Sequence, residues 1–196
     1  MTFIEMTGQP CAGKSSFIAQ EVMIGKEIHI YEQRYLIKMF SFFAGIKYLG
    51  FQRTKVLLSW SLKENASLFF RINVFRNAVL KFGISQNLNT STLESLPRCL
   101  VDEGLSHLPF LFLNTDTQQV VDFISDELRR VNVQFLKSPG YDVIQDRLVS
   151  RGHKRLKFLS VTCFAERNQE IEDILLNLYP NLCEELKVFE YVGNIR

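Results

Sequence analysis

The sequence predicts one three-layer α/β domain built on a parallel sheet. Five short apolar runs alternate with helix-patterned segments, no Pro/Gly/Ser-rich linker divides the 196 residues, and 46% hydrophobic content suffices for one substantial core. Strands that alternate with helices are joined by right-handed crossovers, so they run parallel with helices on both faces. The first strand is expected at residues 2–6, and Phe17, Ile18, Val22 and Met23 then give a one-faced helix over 15–24. A second strand at 27–31 leads into helical patterns at 36–48 and 66–82. Residues 36–97 thus form a helical insertion between the second and third strands, and they hold eight of the 17 phenylalanines. The polar stretch 86–95 is expected to be an exposed loop before the third strand at 99–102. Helix 117–131, strand 133–136, helices 141–151 and 165–178, and a strand at 188–192 complete the order.

Residues Gly8, Gln9, Pro10, Cys11, Ala12, Gly13, Lys14 and Ser15 spell GxxxxGK[ST] between the first strand and the first helix. That is the context in which the spelling has a mechanism. The glycines let successive N–H groups turn inward on a polyphosphate, Lys14 brings a flexible charge to the β/γ-phosphates, the Ser15 hydroxyl can ligate Mg²⁺, and the helix that follows adds the positive end of its dipole. Nucleotide-phosphate binding by residues 8–16 follows as an expectation. Cys11 has a cation-rich setting that can lower a thiol pKa, but filling space behind the loop is the favoured role.

With 23 basic and 21 acidic residues the net charge is +2, so nothing global points to nucleic acid or an anionic membrane as partner. Cys11, Cys99, Cys163 and Cys183 are scattered, which indicates neither a zinc site nor a disulfide framework, and reads as the reduced thiols of a cytoplasmic protein. The N-terminus lacks the basic and long apolar regions of a signal peptide. The apolar stretch 36–62 is interrupted by Lys38, Lys47, Arg53 and Lys55, well short of the ~18 uncharged residues of a spanning helix.

Two further constellations carry chemistry. Arg98 to Gly104 reads as a buried strand delivering acid beside the phosphate loop, with Asp102 the candidate Mg²⁺ ligand and Glu103 the candidate base or orienter of an attacking hydroxyl. The two roles remain exchangeable at this level. From Arg147 to Lys157 the chain carries five cations besides its histidine, among them Arg147 and Arg151 one helical turn apart and Arg155 beyond Gly152. Cations near a helix end satisfy its dipole, which accounts for Arg151 alone, whereas a lid at 147–160 closing on a transferring phosphoryl group uses all three arginines.

The order of phosphate loop, strand with Asp102-Glu103, the strand and turn from Phe135 through Ser138-Pro139, the helix running to Arg151, and a last strand resembles the small P-loop kinases, which include nucleoside and nucleoside-monophosphate kinases such as thymidylate kinase. The resemblance implies a P-loop NTPase fold with a five-stranded parallel sheet of order 2-3-1-4-5 and transfer of the γ-phosphoryl group of ATP, with Mg²⁺, to a small-molecule acceptor. Thymidylate and deoxynucleoside kinases usually carry an arginine directly after the acidic residue of the third strand, whereas here Glu103 and Gly104 follow Asp102. Glu32 and Arg34 after the second strand, and Arg71 and Arg76 before the third, are candidate acceptor contacts, each also readable as a solvated charge. The expected function is therefore a kinase acting on a nucleoside, nucleotide or other small acceptor, with oligomerisation open. The competing reading is a nucleotide-dependent regulatory ATPase whose phenylalanine-rich insertion meets a protein partner.

Overall fold

A computed structural model describes residues 2–23, 29–30, 35–90 and 98–190. Five parallel strands form one sheet in the order β2-β3-β1-β4-β5. They are β1 (Thr2–Thr7), β2 (His29–Ile30), β3 (Arg98–Asp102), β4 (Asn132–Lys137) and β5 (Glu185–Glu190), of which β2 is only two residues long. The helices are α1 (Lys14–Met23), α2 (Tyr35–Lys63), α3 (Leu68–Thr90), α4 (Thr117–Leu128), α5 (Tyr141–Ser150) and α6 (Val161–Leu178).

The period-two alternation of the central strand sorts the layers. Ile4 and Met6 face α1 and pack with Ala12, Phe17, Ile18, Leu100 and Leu136. On the opposite face Val133 and Phe135 of β4 join the larger core, built from α2 to α6. Glu5 and Thr7 point the same way as that larger core and meet the buried 3-10 helix Leu105–Phe110: Ser106 N–H donates to Glu5 Oε2 at 2.7 Å, and Thr7 Oγ1 donates to the Ser106 carbonyl at 3.3 Å. The ends of β1 and β3 are thus anchored from below by polar bonds.

Several element boundaries differ from expectation. The helix expected at 36–48 is broken at Gly50, whose non-helical φ of 65° and ψ of 179° glycine adopts without steric cost, and a second helical stretch, taken with it as α2, follows directly to Lys63. The expected loop at 86–95 is corrected over its first half: residues 86–90 continue α3, because Leu88 packs with Ile84 and Val101 and holds the helix against β3. Residues 91–95 lie outside the described residues, as do Glu32 and Arg34. β5 begins three residues before the expected 188, since an edge strand with one solvated face admits Glu185 and Lys187. Its Phe189 ring lies 5.0 Å from that of Phe17.

The α2–α3 hairpin is tied to α4 by Arg53. Its guanidinium donates to Glu127 Oε1 and to the Phe123 carbonyl, both at 2.7 Å, and lies over the Phe123 and Phe82 rings. No helix among the described residues is long and apolar enough to cross a membrane.

Candidate functional site

The segment 8–13 leaves β1 and enters α1 through three left-handed residues, Gly8 (φ 137°), Cys11 (φ 67°) and Gly13 (φ 108°). Gly8 is required twice over, since its φ is unfavourable for other residues and a Cβ there would collide with the Leu136 carbonyl of β4. Lys14 is 7% exposed and folds back over the loop, donating to the carbonyls of Gly8 at 3.0 Å and Gln9 at 3.1 Å. Ser15 and Ser16 stand exposed in the first turn of α1, where unpaired helix N–H groups favour an anion. Pro10 lies on the rim of the cavity described below, and Ala12 is fully buried.

Two braces hold the loop from outside. Gln9 Nε2 donates to Glu172 Oε2 of α6 at 3.2 Å and to Gln169 Oε1 at 3.4 Å, and Glu172 Oε1 accepts from the Ser138 N–H at 3.0 Å. Arg147 Nη1 donates to the carbonyls of Cys11 and Ala12, both at 3.2 Å. Cys11 is half-buried, and burial raises its thiol pKa against Arg151, Lys14 and Arg147, so it packs as a neutral thiol.

The acidic turn stands beside the loop because β3 is hydrogen-bonded to β1, with Asp102 opposite Met6. Asp102 reaches solvent at the strand end, and its pKa is raised by the surrounding protein and then by Glu103, against Lys14 and Lys81. Glu103 adopts a left-handed φ of 57° and donates its N–H to the Met6 carbonyl at 3.0 Å. Its carboxylate meets Lys14 Nζ at 3.2 Å and His107 Nε2 at 3.5 Å. His107, and against burial Lys14 and Lys81, hold the Glu103 carboxyl well below its ordinary range. Burial in turn drives the His107 imidazole well below its own ordinary pKa, so the ring is neutral at neutral pH and the lasting positive charge comes from the lysines.

Ser15 and Asp102, the two residues expected to hold Mg²⁺, both present their side-chain oxygens to solvent. A donor set of that kind fits a cation that keeps several waters and completes its shell with phosphate oxygens. No group of three or more His, Cys, Asp or Glu that could hold a metal ion occurs among the described residues.

A cavity of about 480 Å³ opens between the loop, α3 and the segment after α5, with Cys11, Glu103, Phe70, Asn73, Asn77 and Arg151 among its lining residues. No family model matches the chain. No match among curated proteins was found either. Among solved structures the chain is similar to the structure of deoxyadenosine kinase from M. mycoides with bound dATP, at 15% identity and a TM-score of 0.46, over 96% of this chain and 91% of that one.

The three arginines expected to act together make different contacts around the loop and the cavity. Arg147 supports the loop backbone and Arg151 is exposed on the cavity rim. Arg155 also reaches the cavity wall, but its guanidinium is buried, donates to the Leu111 carbonyl at 2.6 Å, lies 3.7 Å from Glu64 and stacks over Phe70 and Phe164. These contacts join the segment after α5 to Leu111 and Glu64. Arg71 Nε donates to the Ala66 carbonyl at 3.0 Å, closing the turn before α3. Arg76 donates to Asn73 at 2.8 Å and lines a separate cavity of about 460 Å³ with Lys38, Phe43 and Leu80.

Sequence reasoning misses Lys81, Glu5, His107 and Glu172. Each reads alone as an ordinary strand, helix or turn residue, and each acquires its place through partners distant in the chain.

Proposed function

We propose that the chain is an ATP-dependent small-molecule kinase. The observation that carries this reading is the cavity beside the loop, because a hydrolase needs only water at the phosphate whereas a room of about 480 Å³ against Cys11 and Glu103 suits a second substrate. In this reading residues 8–16 cradle the triphosphate, and Lys14 exchanges its bond to Glu103 for the β/γ-phosphates. Ser15 and Asp102 would hold Mg²⁺, which would supply charge stabilisation for the transferring group. Glu103, released from Lys14, accepts the proton of the acceptor hydroxyl as its oxygen bonds to the γ-phosphorus and the bond to ADP breaks. Arg147 keeps the loop in shape, and Arg151 stands on the rim where it can meet the transferring group. Phe70 with the amides of Asn73 and Asn77 offers an aromatic face and paired donors and acceptors, which suits a planar acceptor with polar edges such as a nucleoside or nucleotide.

A second reading has its own observation. Phe40, Phe43, Phe51 and Phe69 of the α2–α3 hairpin are 65%, 62%, 79% and 84% exposed, which favours an ATPase that meets a protein through this hairpin. One experiment separates them: ATP and a metabolite pool are incubated with the protein, and products are screened by mass spectrometry for a gain of one phosphoryl group. A phosphorylated metabolite formed in step with ADP is expected. ADP and free phosphate in its place overturn the kinase reading.

A further inference from the structure

Lys81 sits on α3, where its sequence context marks it as one more helix lysine. The structure turns it inward, and its Nζ donates to the Glu103 carbonyl oxygen. Burial and the neighbouring Lys14 push its ammonium pKa down, and the carboxyl groups of Glu103, Glu5 and Asp102 around it act in the opposite direction. Residue 103 is therefore tied from four elements: its N–H to Met6 of β1, its carboxylate to Lys14 of α1 and to His107 of the 3-10 helix, and its carbonyl to Lys81 of α3. A non-glycine residue at φ 57° persists when its surroundings over-determine it, and these ties do so.

The turn cannot supply a balancing cation of its own. Position 104 admits no side chain, because a Cβ there would run into the Glu5 carboxyl group. Within the protein, Lys14 and Lys81 are the two lysines whose charge acts on both Asp102 and Glu103. A triphosphate that draws Lys14 onto itself leaves the two carboxylates facing an anion with one cation remaining.

We propose that Lys81 is a positioning residue of the phosphate site: it holds the Glu103 turn through the carbonyl and keeps positive charge against Asp102 and Glu103 when Lys14 moves to phosphate. The proposal rests on the reading of residues 8–16 as an ATP site. Lys81 does not touch the nucleotide and acts through the acidic turn.

Calorimetric titration with ATP, in Mg²⁺ and in EDTA, tests it on the full chain, Lys81→Met, Glu103→Gln and the double variant. Lys81→Met is expected to weaken metal-free ATP binding on the order of tenfold, and MgATP binding less, because the metal offsets the same carboxylates. Glu103→Gln is expected to restore affinity more in the Lys81→Met background than in wild type, a non-additivity that reports direct coupling. Equal losses with and without metal, additivity in the double variant, or unchanged affinity in Lys81→Met overturns the proposal. Should Lys81→Met fail to fold, Lys81→Gln keeps a donor for the carbonyl without the charge and carries the same comparison. Wild-type protein that binds no ATP overturns the reading of the loop and this proposal with it. Wild-type binding that Lys81→Met shares in full overturns the role of Lys81 alone.

Discussion

At the scale of single residues, Lys14 is the group with most to lose. It is held by two loop carbonyls and by Glu103, contacts an alanine cannot make, yet it packs on no core cluster. Lys14→Ala is therefore expected to keep the far-ultraviolet dichroism of the fold and to weaken MgATP binding by about tenfold or more in a calorimetric titration. Asp102 and Glu103 separate by partner: Asp102 reaches solvent at the strand end, whereas Glu103 faces Lys14 and the cavity. Asp102→Asn is expected to raise the Mg²⁺ concentration needed for half-maximal activity, and Glu103→Gln to lower kcat with little change in that requirement. Titration of activity with Mg²⁺ in both variants decides it, and the reverse pattern exchanges the two roles. The loop residues and the acidic pair were legible because their spacing carries the mechanism. Lys81 and His107 were not, because one lysine on a helix and one histidine in a turn have no local pattern that announces the Glu103 contacts they make in the fold.

At the scale of elements, the α2–α3 hairpin depends on Arg53 for its union with α4. Arg53 is about a third exposed while Glu127 is 5% exposed, so removing the guanidinium leaves a buried carboxylate with only the Tyr48 hydroxyl bonded to it and forfeits the stacking over Phe82 and Phe123. Arg53→Ala is expected to cost about 1–3 kcal/mol in urea denaturation, discounted for the solvent that already reaches the pair. Arg53→Ala combined with Glu127→Leu should recover part of that loss, because no orphaned charge remains. The strand-helix alternation was legible from period alone. The long α2 was only half so, since the glycine at its kink interrupts the pattern while the helix resumes beyond it. The 3-10 helix Leu105–Phe110 follows neither a helical nor a strand period, and it is recognisable only through the polar groups of β1 that it satisfies.

At the scale of the whole molecule, the buried carboxyl of Glu5 gives stability a pH dependence. Burial raises its pKa in the folded state, against bonds from Ser106 and Leu105 and the charge of Lys81. The folded protein therefore holds this proton where the unfolded chain has released it, and its contribution declines as pH rises from the ordinary carboxylate range through the raised value. Glu5→Gln removes that proton exchange. Urea midpoints measured between about pH 5 and about pH 8 should fall less steeply with pH in Glu5→Gln than in wild type.

The brace from Gln9 through Glu172 to Ser138 makes the turns after β1 and β4 a single mechanical unit, with α6 as its beam. Whatever tilts that beam must shift both turns together. A lesion in α6, far along the chain from the loop and touching no phosphate, would then register as altered nucleotide affinity. Glu172→Ala is the sharpest instance: it should lower affinity for ATP severalfold while a Gln9→Ala change made on top of it adds little, since the two act through one strut. Affinities that fall independently in the two variants would show that each turn is held separately.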